Sequence, residues 1–158
     1  MPRKVTKSLK RVLPADRVYD SVLVTKMINK VMLSGKKRLA ENLVYGAIEQ
    51  AAAKTKKDPM DVFEGAIKNV SPQVQVRSKR IGGANYQVPM EVKGDRKVHY
   101  AMIWMLDSAR NKKGKSFDKK LADELVAAYK NEGDAIKKKL DTHQMAEANK
   151  AFAHFARY

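Results

Sequence analysis

The sequence has no cysteine among its 158 residues. Disulfide bonds, thiolate zinc sites, iron–sulfur clusters and cysteine nucleophiles are therefore excluded. It also lacks any apolar run approaching the roughly 18 residues of a membrane-spanning helix. No apolar segment follows the basic first residues, as a secretory signal would require. These absences predict a cytoplasmic protein that neither enters nor crosses a membrane.

Acidic residues are scarce: 17 Asp and Glu oppose 33 Lys and Arg, so the net charge is +16 and the pI is about 10.0. A disordered basic tail would contain fewer apolar residues than the 44% found here. The length fits one domain, residues 1–158, that folds on its own. The composition thus predicts a globular domain whose partner is a polyanion.

Six segments place apolar residues at spacings of three and four, which predicts a mainly α protein, a bundle of about six helices. The first begins after Asp20 or Ser21, and Gly35 is positioned to end it. Asp58 and Pro59 form a typical helix start. The predicted segments are 22–34, 36–54, 59–70, 96–109, 117–132 and 134–148. Leu39 and Leu140 fall on the predicted apolar stripes of the second and last helices.

Between the third and fourth helices the apolar period changes from 3.6 to 2, which predicts a β-hairpin over residues 73–92. Pro89 restricts its strand to an edge or a bulge. A lone hairpin is only marginally stable in water. We therefore expect an isolated arm that projects from the helices and becomes ordered on a partner. Its tip carries Arg77, Lys79, Arg80, Gly82 and Gly83.

Two terminal segments stand apart from the helices. Residues 1–14 contain five cations and no acid, which predicts a mobile arm that binds phosphate, although a merely solubilising tail is the alternative. These cations are Arg3, Lys4, Lys7, Lys10 and Arg11. The tail at residues 149–158 combines aromatic and basic residues, namely Phe152, His154, Phe155, Arg157 and Tyr158.

No motif in the sequence predicts catalysis, a metal site or a cofactor. The segment 109–116 resembles a phosphate-binding loop, but Ala109 replaces its first glycine and the segment follows a helix instead of a strand. The three histidines lack metal-ligand spacing. His143 and Glu147 lie four residues apart, as in a surface pair, and Asp123 and Glu124 are expected on a solvated helix face among lysines.

Basic residues recur at 3–11, 36–38, 77–80, 110–120 and 137–139. Each cluster alone could be a solvated face. Most lie at helix ends or in loops, where side chains can converge on one surface, and this favours nucleic-acid binding. Three cations at 36–38 also oppose the dipole of the helix that they begin. Four aromatic residues are candidates for stacking on unpaired bases: Tyr86, Phe152, Phe155 and Tyr158. Phe63 and Trp104 are expected in the core.

Three runs make the sequence familiar: SGKKRLAENLVYGAIE at 34–49, VQVRSKRIGGANYQVPMEV at 74–92 and HQMAEANKAFAHFARY at 143–158. They resemble the bacterial form of small-subunit ribosomal protein seven, and the similarity covers the whole chain. The resemblance implies a helix bundle with a β-ribbon arm that binds small-subunit ribosomal RNA and nucleates assembly of the subunit head. It also implies a place near the exit-tRNA site and messenger RNA, beside ribosomal proteins nine and eleven.

The resemblance, together with the basic clusters, predicts a set of RNA-binding residues. The set is Arg3, Lys4, Lys7, Lys10, Arg11, Lys36, Lys37, Arg38, Arg77, Lys79, Arg80, Gly82, Gly83, Tyr86, Arg96, Arg110, Lys112, Lys113, Lys115, His154 and Arg157. The sequence departs from the family pattern at residues 93–97 and 155–158.

The sequence thus predicts a ribosomal RNA-binding assembly protein without enzymatic activity. The first alternative is an architectural protein that bends DNA with its β-arm. Such arms carry an apolar wedge at the tip. The tip here is Arg-Ile-Gly-Gly, which fits that alternative poorly. The second alternative is an NTP-dependent enzyme, which Ala109 disfavours.

Overall fold

A computed structural model describes the backbone of residues 12–157 and the side chains of residues 12–156. It contains six α-helices, one hairpin and a C-terminal 3₁₀ helix, so the predicted fold class is confirmed. No helix in this part of the chain is long and apolar enough to cross a bilayer. The elements are α1 (Val22–Val31), α2 (Lys37–Thr55), α3 (Pro59–Val70), β1 (Val74–Ile81), β2 (Ala84–Glu91), α4 (Asp95–Asn111), α5 (Phe117–Tyr129), α6 (Asp134–Ala148) and the 3₁₀ helix (Lys150–Arg157).

Local sequence signals explain some helix ends and miss others. The Asp58 carboxylate accepts hydrogen bonds from the backbone N–H groups of Met60 and Asp61, at 3.0 and 3.3 Å, so the predicted start of α3 is confirmed. The predicted end of α1 is wrong. The helix stops at Val31, and Gly35 instead adopts a φ of +73° in the turn that leads into α2.

The six helices share one core, in which Phe63 and Trp104 are buried as predicted. Leu39 and Leu140 were expected there, but each is 55% exposed. Leu39 lies in the first turn of α2, and its exposed side chain shows that the buried face of the helix starts with Ala40. α6 is buried only near its two ends, so the spacing of apolar residues overstated the width of both buried faces.

The hairpin is confirmed, with continuous antiparallel pairing from Val74 opposite Glu91 to Ile81 opposite Ala84. Gly82 and Gly83 form its two-residue turn with φ values of +56° and +88°. Both angles favour glycine and match the turn that suits twisted strands. The unbroken register makes Pro89 an edge-strand residue and not a bulge.

The hairpin is not isolated, which differs from the expected arm. α6 packs against both strands, and the 3₁₀ helix lies along β2. The Tyr86 ring lies 5.2 Å from the Phe152 ring and 5.5 Å from the Phe155 ring. Lys79 Nζ also donates a hydrogen bond to the Phe155 carbonyl at 3.0 Å. The tail therefore covers apolar surface that a lone hairpin would leave in water.

Candidate nucleic-acid interface

Cationic side chains line an open groove of about 640 Å³ between α1 and α4. Lys26 and Lys30 come from α1, while Arg96 and His99 come from α4. Lys26 Nζ lies 2.9 Å from the Asp95 carboxylate, which is the one acidic side chain that residues 12–157 place on the groove wall. Helical spacing explains the arrangement, because residues three or four apart lie on the same face.

The ionisation of His99 reflects the positive charge of this groove. Burial lowers its pKa, and the cations Lys30 and Arg96 lower the pKa further. The lowered pKa favours the neutral imidazole, whose Nδ1 accepts a hydrogen bond from Lys30 Nζ at 2.7 Å. Burial also lowers the pKa of Lys30. A bound phosphate would relieve this crowding of positive groups.

Of the residues predicted from the sequence, Arg96 lines the groove. Arg110 lies near the other end of α4, where its guanidinium donates a hydrogen bond to the Lys30 carbonyl at 3.4 Å. Sequence reasoning missed Lys26 and Lys30. The available signal was their four-residue spacing on a helix that carries no acid in its first turn.

Part of the positive charge in the basic loop after α4 is paired with an acidic residue inside the protein. Lys112 Nζ lies 2.5 Å from the carboxylate of Glu124, a residue that is fully buried and not solvated as expected. Burial of this carboxylate is possible because Lys112 and the backbone N–H of Ala135, at 3.0 Å, both donate to it. Lys113 is exposed and has no ion pair within residues 12–157.

Asp123 forms a second internal pairing site beside this loop. Lys115 Nζ lies 2.8 Å from its carboxylate, and Lys54 of α2 donates to the same group. Hydrogen bonds from Lys115 and Lys54 lower the pKa of Asp123 to about 2. The expectation that Asp123 lies among lysines is thus met, and α2, α5 and the loop are joined through it.

The cations at the start of α2 are exposed, and no acidic residue occupies the first turn of that helix. Lys37 Nζ lies 4.0 Å from the Glu41 carboxylate. Lys36 and Arg38 have no ion pair in the described chain. Their charges add to the positive end of the helix dipole, which makes this helix end attractive to an anion.

The hairpin cations divide between two faces, because strand residues alternate in direction. Arg77 and Lys79 share one face of β1, while Arg80 lies on the other. Both arginines are exposed and unpaired within residues 12–157, whereas Lys79 is bonded to the tail. Tyr86 is half-buried against the tail aromatics, so base stacking by these rings stays a prediction.

Lys139 of the last basic cluster and the histidine His143 make contacts within the protein. Lys139 Nζ donates to the Asn69 carbonyl at 2.6 Å. The expected pair of His143 with Glu147 is wrong: His143 Nε2 accepts from the Gln73 N–H at 3.2 Å, and Glu147 pairs with a lysine instead. Burial lowers the pKa of His143, as does nearby Lys139. His154 is exposed.

Several predicted contacts fall outside the described part of the chain. These are Arg3, Lys4, Lys7, Lys10, Arg11 and Tyr158, together with the side chain of Arg157.

Comparison with known proteins identifies the family. Residues 2–150 match the family model for ribosomal protein S7p/S5e. The chain belongs to this family. The small ribosomal subunit protein uS7 of Thermotoga maritima is 54% identical to this chain. The match covers 92% of this chain and 94% of the relative. The uS7 protein of Pelotomaculum thermopropionicum is also 54% identical, over 98% of this chain and 99% of the relative. That of Chloroflexus aggregans is 53% identical, over 99% of each.

Membership of the S7p/S5e family confirms the resemblance and the general function predicted from the sequence. The chain is a structural, non-enzymatic protein of the small ribosomal subunit, and it associates with the ribosome and its RNA. The DNA-bending alternative has no support from this family. The contact residues themselves stay predictions.

Proposed function

We propose that this chain binds the head domain of small-subunit ribosomal RNA directly and nucleates the folding of that domain. The observation that carries the proposal is the groove between α1 and α4, where Lys26, Lys30, Arg96 and His99 face one carboxylate. Lysine and arginine contacts to phosphates supply affinity and fix the register of the protein on the RNA. Specificity comes from an RNA shape that fits both this groove and the hairpin.

The chain acts in this proposal as one RNA-binding domain with three appendages. These are the basic arm at 1–14, the hairpin at 73–92 and the tail at 149–158. The exposed arginines at 77 and 80 support contacts from both faces of the hairpin, since they are unpaired in the described chain. Three further candidates for RNA contacts are exposed and have no ion pair in the described chain: Lys36, Arg38 and Lys113.

We also propose the finer partners that the family resemblance implies. The hairpin reaches toward exit-site tRNA and messenger RNA, and ribosomal proteins nine and eleven of the small subunit lie beside the chain. Support for this part comes from the family alone.

The central experiment measures binding of the full chain to the isolated head domain of the ribosomal RNA and to duplex DNA of equal length, across a salt series. About eight phosphate contacts would lower affinity by roughly 10³ to 10⁵-fold between low and physiological salt. A preference for the RNA that persists at physiological salt is expected. Equal binding to both nucleic acids would contradict the proposal.

A pair of variants tests the groove. Arg96→Ala should weaken RNA binding and reduce the slope of log affinity against log salt by about one unit. Lys68→Ala removes the same charge from an exposed position on α3, outside the groove, and should change neither quantity. Equal effects of the two substitutions would show that only net charge matters.

A further inference from the structure

A second cavity, of about 240 Å³, lies where the hairpin, α4 and α6 meet. Its walls include the aromatic rings of Tyr100 and Trp104, whose centroids are 5.8 Å apart, and the side chains of Pro72 and Met145. None of the described residues that line it is acidic. Ligand sites usually enclose about 300–1,000 Å³ and are mostly apolar, with a few polar groups that fix orientation. This cavity has the same make-up but is smaller, so it suits a group no larger than a single base.

One polar group in this cavity is Gln75, which is only 7% exposed. Its Oε1 accepts a hydrogen bond from the Tyr100 hydroxyl at 2.6 Å. Its amide nitrogen has no partner within residues 12–157, although it is not sealed from solvent. Because this donor reaches solvent and has no protein partner, it is available to a ligand that brings an acceptor atom into the cavity.

A cation stands at the mouth of the same cavity. Arg77 follows Gln75 on the same face of β1, about 7 Å further along the strand. It is exposed and has no acidic partner in the described residues. An amide donor beside apolar walls, with a free guanidinium outside, matches an anionic ligand that has a flat, acceptor-bearing ring.

We propose that this cavity binds one unpaired nucleotide of RNA. The base lies against the Tyr100 and Trp104 side chains and accepts a hydrogen bond from the Gln75 amide, while Arg77 contacts the phosphate. Unpaired bases are recognised in this way, by aromatic surfaces together with donors to their edges. The inference rests on the proposed RNA binding, but it concerns a site separate from the groove between α1 and α4.

A protein side chain is the rival occupant. An apolar side chain would fill the cavity but would leave both the Gln75 amide and the Arg77 guanidinium without a partner. A nucleotide satisfies both groups, and the observations therefore favour RNA.

The test uses Trp104, the single tryptophan of the chain, as a fluorescent reporter inside the cavity. The full-length protein is titrated with a single-stranded tetranucleotide of adenosine. We expect saturable quenching of the Trp104 emission. Arg77→Gln and Gln75→Met should each weaken this binding by about fivefold, through loss of one hydrogen bond or phosphate contact.

Lys68→Gln is the matched control, because it removes one positive charge from an exposed position on α3, outside the cavity. It should leave the quenching curve unchanged. Because Arg77 is exposed, we expect the Arg77→Gln variant to fold even if Gln75→Met does not. Circular dichroism shows whether each variant is folded. Absence of saturable quenching, or equal effects of Arg77→Gln and Lys68→Gln, would overturn the proposal.

Filter binding of the head-domain RNA separates this inference from the proposed function. If that RNA binds while Trp104 emission is unchanged, the cavity assignment is wrong and the function stands. If the RNA does not bind but the tetranucleotide quenches selectively, the function is wrong and the cavity assignment stands. A Trp104 response to ribosomal protein nine or eleven, but to no RNA, would assign the cavity to a protein side chain.

Discussion

Glu124 is a fully buried carboxylate whose partners come from the basic loop and from the start of α6. Glu124→Gln keeps its shape and one acceptor but removes the counter-charge of Lys112. We expect the free energy of unfolding to fall by about 2 kcal/mol, less than for a fully buried pair because Lys112 is partly exposed. Urea denaturation with an unchanged m-value measures this loss.

Glu132→Gln is the control for that substitution. Glu132 is exposed, and a change at such a position is expected to stay within about 0.5 kcal/mol. Equal stability of the two variants would show that the Glu124 pair does not stabilise the fold.

Asp123 makes a pH-dependent contribution to stability. Its pKa of about 2, lowered by Lys115 and Lys54, lies below the value of an unfolded aspartate. The stabilisation is therefore fully present above the unfolded pKa and is lost as the pH falls through the folded one. Asp123→Asn should cost about 1 kcal/mol at pH 7, with the difference from the unmodified chain shrinking from pH 5 toward pH 2. Urea titrations at several pH values test this, and a pH-independent difference would contradict it.

At the scale of elements, the 3₁₀ helix holds the hairpin in place through Tyr86. Replacing Phe152 and Phe155 together with alanine should speed amide hydrogen exchange in β1 and β2 by at least about tenfold, since each aromatic contact is worth about 0.5–1.5 kcal/mol. The amides of α2 and α5 should keep their protection. Lys150→Ala, an exposed change in the same 3₁₀ helix, is the control, and unchanged exchange in the double variant would show that the tail does not restrain the hairpin.

Elements with a strong local signal were predictable from the sequence. Asp58 and Pro59 mark the start of α3, and the glycine pair at 82 and 83 marks the turn of the hairpin, because each acts within a few residues of the backbone. The spacing of apolar residues found each α-helix of the described chain but not the 3₁₀ helix. It could not place Leu140 outside the core, since the neighbours of a helix are set by tertiary packing.

The same limit applies to the candidate site. Cations such as Arg96 could be identified from the sequence, but the sequence did not show which cations pair with acidic side chains. Lys112 and Lys115 look equivalent to Lys113 along the chain, yet two of the three are paired with acids twelve and eight residues away. Such pairing depends on how α5 packs against the loop, and composition contains no information about it.

At the scale of the whole molecule, we expect the N-terminal cations to contribute to RNA binding but not to the stability of the fold. Deleting residues 1–11 removes five positive charges, and within the described residues 12–157 the buried core residues span 24–146. We expect the salt slope of RNA binding to fall by about one unit per lost phosphate contact, with no change in the urea midpoint of the protein. Replacing the five cations with serine in the full-length chain should reproduce the binding effect. An unchanged slope would identify the segment as a solubilising tail.

The two-glycine turn and unbroken register of the hairpin also limit how its length can vary. Adding two residues to each strand near the base would carry the tip outward by about 7 Å and keep Arg77 on its present side. Adding one residue to each strand would invert every side chain beyond the insertion. Arg80 would then lie on the side that faces the Trp104 cavity. The hairpin can therefore change length and keep each side chain on its present face only in steps of two residues per strand.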